Sequence, residues 1–297
     1  MPSKHIYLFK NGHHCIKYAL ASDTLATSSK PNNKQEAPPI TLIFLHGYGD
    51  SSNNYIEFFN NDNLKKYNIL AADHLGHGES QCQKEFYDYS LANNIKILEE
   101  HVVKLFQDFN LTLKDVFLIG HSMGGDIGVR LCTGISSLKE SVSGLINIEG
   151  SLTEHDLFLS RAAYARSKKG EFLAWLEYYI AKQAAGFSKA GTYIENLKQT
   201  HPIALEQNAI EFYENHLNAI KANDGFTHIM GKFLANLTTS NLFIYGDGTH
   251  EKTIDFIKQM KINSQYIKTD SHWVMFEPQF IHVLQRFIQQ YYLSRHL

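Results

Sequence analysis

The chain carries the stretch Gly120-His-Ser-Met-Gly-Gly125 between an apolar run, Asp115-Val-Phe-Leu-Ile119, and a helix-compatible run, Asp126-Ile-Gly-Val-Arg-Leu131. This order predicts a buried strand, a tight turn and a helix. The glycines leave room for a chain that reverses direction within about one residue, because glycine has no Cβ atom. A G-x-S-x-G pattern in this setting exposes the Ser122 hydroxyl at the apex of the turn. We therefore expect Ser122 to be a nucleophile held in a strained backbone conformation.

A serine hydroxyl is a weak nucleophile unless a base removes its proton, so this hypothesis requires a histidine. The chain has 16 histidines. His272 is the best candidate, because it follows an alternating segment at 263–268 and precedes an amphipathic run at 279–288, which predicts a strand-to-helix loop. Six other histidines are interpreted as solvated surface residues: His13, His14, His155, His201, His216 and His228.

Negative charge that develops on a substrate oxygen requires backbone N–H donors. Met123 begins the helix after Ser122, so its N–H has no acceptor within that helix. A second donor is expected on the loop after an earlier strand. The apolar residues 40–45 predict such a strand, which runs into the glycine-containing loop 46–52, where Tyr48 offers its N–H. Tyr48 and Met123 are therefore the expected oxyanion donors.

Four motifs, taken in chain order, resemble those of the α/β-hydrolases. They are His46-Gly47, Asp73-x-x-Gly-x-Gly-x-Ser80, the stretch 120–125 and His272-x4-Glu277-Pro278. The resemblance implies an α/β fold with a mostly parallel, twisted sheet, helices on both faces, and a nucleophile–histidine–acid triad without a cofactor. Serine as the nucleophile favours attack on an activated carbonyl group. No metal site is predicted, since His74 and His77 of the second motif lack a third ligand at a suitable spacing.

The acid of the triad is absent from the family's usual position. In the family it lies three residues beyond a glycine that ends the strand before the histidine loop. Residues 241–245 predict that strand and Gly246 is that glycine, but the third residue beyond it is Thr249. A threonine cannot serve as the carboxylate. Asp247 lies two residues earlier and is one candidate, if the turn differs from that of the family.

Glu149 is the other candidate for the acid. It ends the apolar segment 142–149, which predicts the strand after the helix of the nucleophile. Burial of an ionised carboxylate is costly unless the group is paired. Some members of the family do take their acid from this strand, although Glu149 could instead cap the next helix or pair with Arg161. We favour Glu149 over Asp247.

The composition limits the remaining possibilities. A net charge of −2 and a pI near 6.8 give no electrostatic argument for nucleic acid or for an anionic membrane. Three unpatterned cysteines, Cys15, Cys82 and Cys132, favour a reducing compartment. Neither a charged-then-apolar leader nor an apolar run of about 18 residues is present, so we expect a cytoplasmic protein with a small-molecule substrate. The composition defines no oligomeric state.

The segment 151–236 has helical spacing and many aromatic residues but no strand pattern, which predicts a helical cap inserted into a hydrolase core formed by 1–150 and 237–297. An Asn-Gly turn predicts a hairpin at the start of the chain, and the polar residues 22–39 predict a loop. The expected protein is a cofactor-independent serine hydrolase of a carboxylic ester or lactone with a small hydrophobic or aromatic group, acting through an acyl-enzyme. The alternatives are a C–C bond hydrolase, a thioesterase on the same triad, and a non-catalytic protein that binds a small molecule.

Overall fold

The structure, a computed structural model, describes residues 6–21, 39–81, 88–133, 138–186, 191–222, 229–269 and 271–295. Most of the predicted loop at 22–39, together with Cys82 and His228, lies outside these ranges. In the described ranges, no helix is both long enough and apolar enough to cross a membrane.

Eight strands form one sheet in the order β1-β2-β4-β3-β5-β6-β7-β8. The first two strands form the predicted hairpin and β2 pairs antiparallel with β4, whereas all other neighbours are parallel. The predicted fold class is therefore confirmed. The strands are β1 (Tyr7–Asn11), β2 (His14–Ala19), β3 (Thr41–Leu45), β4 (Asn68–Asp73), β5 (Val116–His121), β6 (Val142–Ile148), β7 (Ser240–Tyr245) and β8 (Ser264–Tyr266).

All but the last of the α-helices in the described residues lie between strands, and the last one follows β8. The helices are α1 (Ile56–Phe59), α2 (Leu91–Asp108), α3 (Met123–Thr133), α4 (Phe158–Ser167), α5 (Phe172–Gly186), α6 (Gly191–Gln199), α7 (Pro202–Ala222), α8 (Ile229–Ala235), α9 (Glu251–Gln259) and α10 (Gln279–Arg295). Each long connection between parallel strands contains a helix, as the crossover of parallel strands requires.

Side chains of the central strands alternate between two hydrophobic cores, one on each face of the sheet. On one face, Phe44 and Ile119 belong to the core that includes Phe280 and Leu284 of α10. On the other face, neighbouring strand residues pack with Val102 of α2 and with residues of α3 and α9. Because successive residues of a strand point to opposite faces, strands buried on both sides read as continuous apolar runs. The sheet is thus covered by helices on both faces.

The helices α4 to α8 all lie between β6 and β7 in the chain. Most of their contacts are with one another, and the pairing of α4 with α7 is the most extensive among them. This segment falls within the range 151–236 that we predict to be a cap. Its action as a cap over the substrate stays a prediction.

Two of the six histidines interpreted as solvated are buried, so that interpretation was wrong for them. His14 begins β2, and its Nδ1 lies 2.6 Å from Nδ1 of His101 on α2. His216 lies on α7, where its Nδ1 hydrogen-bonds the Phe212 carbonyl at 2.7 Å and its Nε2 faces Asp126 at 3.6 Å. His14 pairs with a residue far away in the chain and His216 with a residue of its own helix and with Asp126, and the periodicity of the sequence does not reveal such pairings. His13 is exposed, and His155 and His201 are partly buried.

Candidate active site

Ser122 occupies the turn between β5 and α3, and its backbone has a φ of +52°. An L-residue adopts this left-handed conformation only where the surroundings impose it. The Ser122 N–H donates to the Ile148 carbonyl of β6 at 2.8 Å, and the Ser122 carbonyl accepts from the Gly125 N–H at 2.8 Å. Hydrogen bonds to the neighbouring strand and to the first turn of α3 therefore hold the serine at the apex.

Two glycines make this turn sterically possible. A Cβ atom on Gly120 would lie 2.2 Å from the Gly124 carbonyl oxygen, and one on Gly124 would lie 2.2 Å from the Leu45 carbonyl oxygen. Both distances are far below van der Waals contact, and the opposing atoms belong to the backbone, which cannot move aside. The turn thus packs directly against the end of β3, where the expected oxyanion loop begins.

The loop after β3 lies against the serine. A Cβ atom on Gly47 would be 3.2 Å from Ser122 Cβ. The next residue, Tyr48, is fixed by its hydroxyl, which donates to the Leu205 carbonyl of α7 at 3.1 Å. Burial raises the pKa of the Tyr48 phenol, which favours the neutral hydroxyl. Met123 is the first residue of α3, so its N–H is one of the four that no helical carbonyl accepts.

Two buried histidines, His46 and His74, form hydrogen bonds that hold the loop after β3 in place. The His74 N–H donates to His46 Nε2 at 2.9 Å, so the proton of His46 is on Nδ1, which donates to the Gly47 carbonyl at 2.8 Å. His74 Nε2 lies 3.1 Å from the His46 carbonyl. Burial lowers the pKa of His46 and lowers that of His74 to about 3, so both rings are neutral. Their nitrogen atoms orient the loop.

His272 lies on the loop between β8 and α10. Its ring is 4.7 Å from the ring of His121, and its carbonyl accepts from His121 Nε2 at 3.0 Å. Because His121 immediately precedes Ser122, this contact attaches the histidine loop to the turn of the serine. The side chain of His272 is 44% exposed, and its Nδ1 faces the Oε2 atom of Glu149 at 3.7 Å.

Glu149 directly follows β6 and also has a left-handed backbone, with a φ of +51°. Its N–H donates to the Ile244 carbonyl of β7 at 2.9 Å. Its Oε1 atom accepts from the Gly246 N–H at 2.5 Å and from the Thr249 hydroxyl at 2.8 Å. These donors occupy one carboxylate oxygen and leave the other facing His272. The side chain is only 9% exposed.

Asp247, the other candidate for the acid, points elsewhere. Its Oδ1 atom accepts a hydrogen bond from the Tyr266 hydroxyl, and its Oδ2 atom accepts from the Thr269 N–H at 3.0 Å. Both oxygens are therefore used to fix the segment around β8. Arg161, considered as a partner of Glu149, instead donates to the Glu154 carbonyl at 2.9 Å.

Thr249 is the residue that sequence reasoning passed over. It stands where the family has its acid, and we considered it only as a residue that could not be one. Its hydroxyl bonds to the carboxylate that faces His272. The sequence did contain a signal for this pairing. Thr249 carries a hydroxyl at the usual acid position, and Glu149 is a carboxylate at the end of the preceding parallel strand.

A small cavity of about 50 Å³ adjoins the serine. Helices α4 and α7 supply part of its wall, so the segment between β6 and β7 lines the cavity together with Ser122. The wall is mixed in polarity and is formed by Tyr48, Ser122, Met123, Ser151, Asp156, Leu159, Ser160, Ala209 and Phe212. Pockets that bind drug-sized ligands are typically about 300–1,000 Å³. The cavity beside the serine hydroxyl is therefore much smaller than such pockets.

The fold together with a serine, a histidine and a carboxylate on the carboxyl edge of the sheet defines an α/β-hydrolase. Residues 36–222 match the family described as serine aminopeptidase, S33. This match covers more than half of the chain, so the chain belongs to that family.

Among curated proteins, a Haemophilus influenzae protein named as an esterase/lipase is 26% identical over 272 residues, which are 86% of each chain. A monoglyceride lipase from Rattus norvegicus is 35% identical over 104 residues, which are 32% of this chain and 31% of that one. Matches to relatives from Mycoplasma pneumoniae and monkeypox virus are also partial, so this chain spans 38% and 32% of their lengths.

Among solved structures, an N-acyl homoserine lactonase complexed with N-butanoyl homoserine superimposes with a TM-score of 0.63. The superposition covers 97% of both chains at 16% identity. At this identity the likeness shows the fold alone.

Proposed function

We propose that this protein is a cofactor-independent serine hydrolase of carboxylic esters or lactones, with Ser122 as nucleophile, His272 as base and Glu149 as acid. The observation that carries the proposal is the Glu149 carboxylate, which faces His272 with Oε2 while Gly246 and Thr249 hold Oε1. The distance of 3.7 Å is longer than a hydrogen bond. Such contacts often shorten only in the complex with substrate.

In the proposed reaction, Ser122 Oγ forms a bond to the carbonyl carbon while its proton passes to Nε2 of His272. The Glu149 carboxylate favours the imidazolium ion that results. The carbonyl oxygen becomes negative and accepts hydrogen bonds from the N–H groups of Tyr48 and Met123. His272 then gives its proton to the departing alcohol oxygen as the C–O bond breaks, which leaves an acyl-enzyme on Ser122.

Water completes the cycle. It loses a proton to His272 as its oxygen bonds to the acyl carbon, and Ser122 leaves with that proton as the acid product forms. Acyl transfer of this kind requires no group beyond the side chains and backbone amides named above. A lactone follows the same steps, except that the leaving alcohol stays attached to the product.

The cavity beside Ser122 supports a short acyl group, since about 50 Å³ holds only a few water molecules. The sequence similarity to esterases, lipases and monoglyceride lipases supports esters ahead of other carbonyl compounds. We therefore expect a short-chain ester to be hydrolysed with a higher kcat/KM than a long-chain ester of the same alcohol. Helices α4 to α8 are the proposed cap that sets this limit.

The test combines labelling with a substrate panel. A fluorophosphonate probe is expected to label the folded protein but not Ser122→Ala, in which kcat should fall by at least about 10⁴-fold. Monoacylglycerols with butanoyl and hexadecanoyl chains, a thioester and a lactone are then compared under the same conditions. Absence of labelling in folded wild-type protein would contradict the proposal and favour a non-catalytic binding protein.

A further inference from the structure

Asp50 is a buried carboxylate on the loop that follows β3, two residues beyond Tyr48, and only 1% of its surface is exposed. Its neighbours are hydrogen-bond donors without charge. The Ser51 N–H donates to its Oδ1 atom at 2.8 Å, and the Asn54 amide donates to both oxygens at 2.6 Å. Asn196 of α6 adds a hydrogen bond of 2.8 Å to Oδ1.

The histidine loop also approaches this carboxylate, because the side chain of Trp273 lies near enough to favour the ionised form and lower the pKa of Asp50. Trp273 directly follows His272, and the ring of Tyr193 on α6 packs 4.9 Å from the Trp273 ring. The Asp50 N–H in turn donates to the Gly47 carbonyl at 3.2 Å, within the loop that positions Tyr48. One carboxylate thus connects the loop of the expected oxyanion donor, the loop of the expected base, and a helix of the proposed cap.

These hydrogen bonds depend on the charge of the carboxylate. The ionised carboxylate accepts from all three of these donor residues, whereas a protonated one must place a proton toward one of them and loses that bond. Burial raises the pKa of Asp50 to about 6, and the amide donors and the Trp273 side chain oppose that increase. The titratable side chains that face it are the phenols of Tyr55 and Tyr193, whose pKa values its charge raises.

We propose that Asp50 is a positioning residue whose ionised carboxylate fixes the Tyr48 loop and the His272 loop against helix α6, so that loss of its charge loosens both loops together. The effect on catalysis rests on the proposed function. The structural effect does not, because it concerns only the environment of Trp273.

Trp273 fluorescence tests the structural part. The chain has two tryptophans, so Trp175→Phe leaves Trp273 as the only one. His272→Gln is added to this background, so that the imidazole ring 6.1 Å from the indole is removed from the surroundings of the fluorophore. His121 also lies near the indole, but burial lowers its pKa well below 6.5 and keeps it neutral. Emission is followed from pH 8 to pH 4.5, with circular dichroism to confirm that the protein stays folded.

We expect a titration of Trp273 emission with a midpoint near pH 6 that is absent when Asp50→Asn is added. The inference is overturned if the folded background shows no titration, or if the same titration persists without the carboxylate. Asn196→Ala provides a second variant in case Asp50→Asn does not fold. It removes one donor to the ionised form, so the midpoint should rise by about one pH unit. An unchanged midpoint would count against the inference.

Ester hydrolysis tests the catalytic part. At pH 7.5, Asp50→Asn in the otherwise wild-type chain should lower kcat by between about 10- and 100-fold, because small displacements of reacting groups have effects of this size. The matched control is Asp62→Asn, an exposed carboxylate paired with Lys65 at the surface, for which no change is expected. Equal kcat for Asp50→Asn and wild type would refute a positioning role. If wild type lacks hydrolytic activity, the proposed function fails and the fluorescence result still decides the structural inference.

Discussion

The Thr249 hydroxyl donates a hydrogen bond to the Oε1 atom of Glu149 at 2.8 Å. Thr249 stands at the position where the family has its acid, whereas Glu149 reaches the same place from the neighbouring strand, 100 residues earlier in the chain. The usual acid position is therefore occupied by a residue that supports a carboxylate supplied from elsewhere. Substitutions at either position can separate the two contributions.

The first prediction concerns which carboxylate acts with His272. Glu149→Gln should lower kcat on an activated ester by roughly 10⁴-fold, because a neutral amide neither favours the imidazolium ion nor holds the required tautomer. Asp247→Asn should change kcat by less than about threefold, since its oxygens bond to Tyr266 and Thr269. Steady-state kinetics of the two variants decides the question. If only the Asp247 change is severe, the assignment of Glu149 is wrong.

The second prediction exploits the proximity of Thr249 to the carboxylate. Glu149→Ala should be nearly inactive. Addition of Thr249→Asp should raise kcat at least about tenfold above that of Glu149→Ala, because the new carboxylate lies where the Thr249 hydroxyl now contacts Glu149. Thr249→Val alone should reduce kcat by about tenfold through loss of one hydrogen bond to a charged group. Thr249→Ser is the matched control and should retain activity. A double variant no more active than Glu149→Ala would show that the two positions are not interchangeable.

The third prediction tests the packing of the serine turn. Gly124→Ala should lower the free energy of unfolding by about 3 kcal/mol, because its Cβ atom would lie 2.2 Å from a backbone oxygen of β3. Gly248→Ala is the control, since no heavy atom lies within 4 Å of its Cβ position, and its effect should stay within about 0.5 kcal/mol. Urea denaturation measures both. Equal stability of the two variants would contradict the close approach of turn and strand.

The fourth prediction concerns acid stability. Burial lowers the pKa of His14 to about 3. Between about pH 6.5 and that value the unfolded chain binds a proton at this side chain and the folded protein does not, so the side chain makes the protein less stable as the pH falls. His14→Gln should remove this contribution and gain up to about 1.4 kcal/mol per pH unit relative to wild type on acidification through that window.

Urea denaturation at pH 7.5, 6.5 and 5.5 checks this sign. The adjacent residue His13 is exposed, so His13→Gln should follow the wild-type pH dependence. Parallel curves for wild type and His14→Gln would mean that His14 is protonated in the folded protein, in conflict with its burial. The comparison with wild type is needed because a buried acid such as Asp50, whose pKa is raised, makes the protein more stable as the pH falls, which is opposite to the effect of His14.

The sequence predicted the fold because the relevant residues act locally. The Gly120–Gly125 turn is specified by steric room next to an apolar strand, and strands buried on both faces read as short apolar runs. These elements follow each other in the order that the parallel sheet requires, so even the edge that carries Ser122 and His272 could be inferred. Contacts between residues far apart in the chain were less accessible.

Asp50 and Thr249 illustrate the limit. Each is a small polar residue in a loop, and its importance comes from partners that only the folded chain brings near, such as Asn196 for Asp50. His14 and His216 were misinterpreted for the same reason. The sequence around a polar side chain on a strand or helix does not show which distant residue will pack against it, such as His101 for His14. The preference for Glu149 over Asp247 came from the cost of burying a charge, and the role of Glu149 as the acid stays a prediction.

The left-handed backbones of Ser122 and Glu149 have a consequence for directed evolution. Glycine adopts this conformation without the steric cost that any other residue incurs, so Ser122→Gly and Glu149→Gly relieve strain in the native state. A library screened only for thermal tolerance would enrich Ser122→Gly and thereby remove the proposed nucleophile. Glu149→Gly would in addition leave the Gly246 N–H and the Thr249 hydroxyl without their acceptor, which opposes its enrichment. Selection for robustness in this protein therefore has to be coupled to turnover at every round.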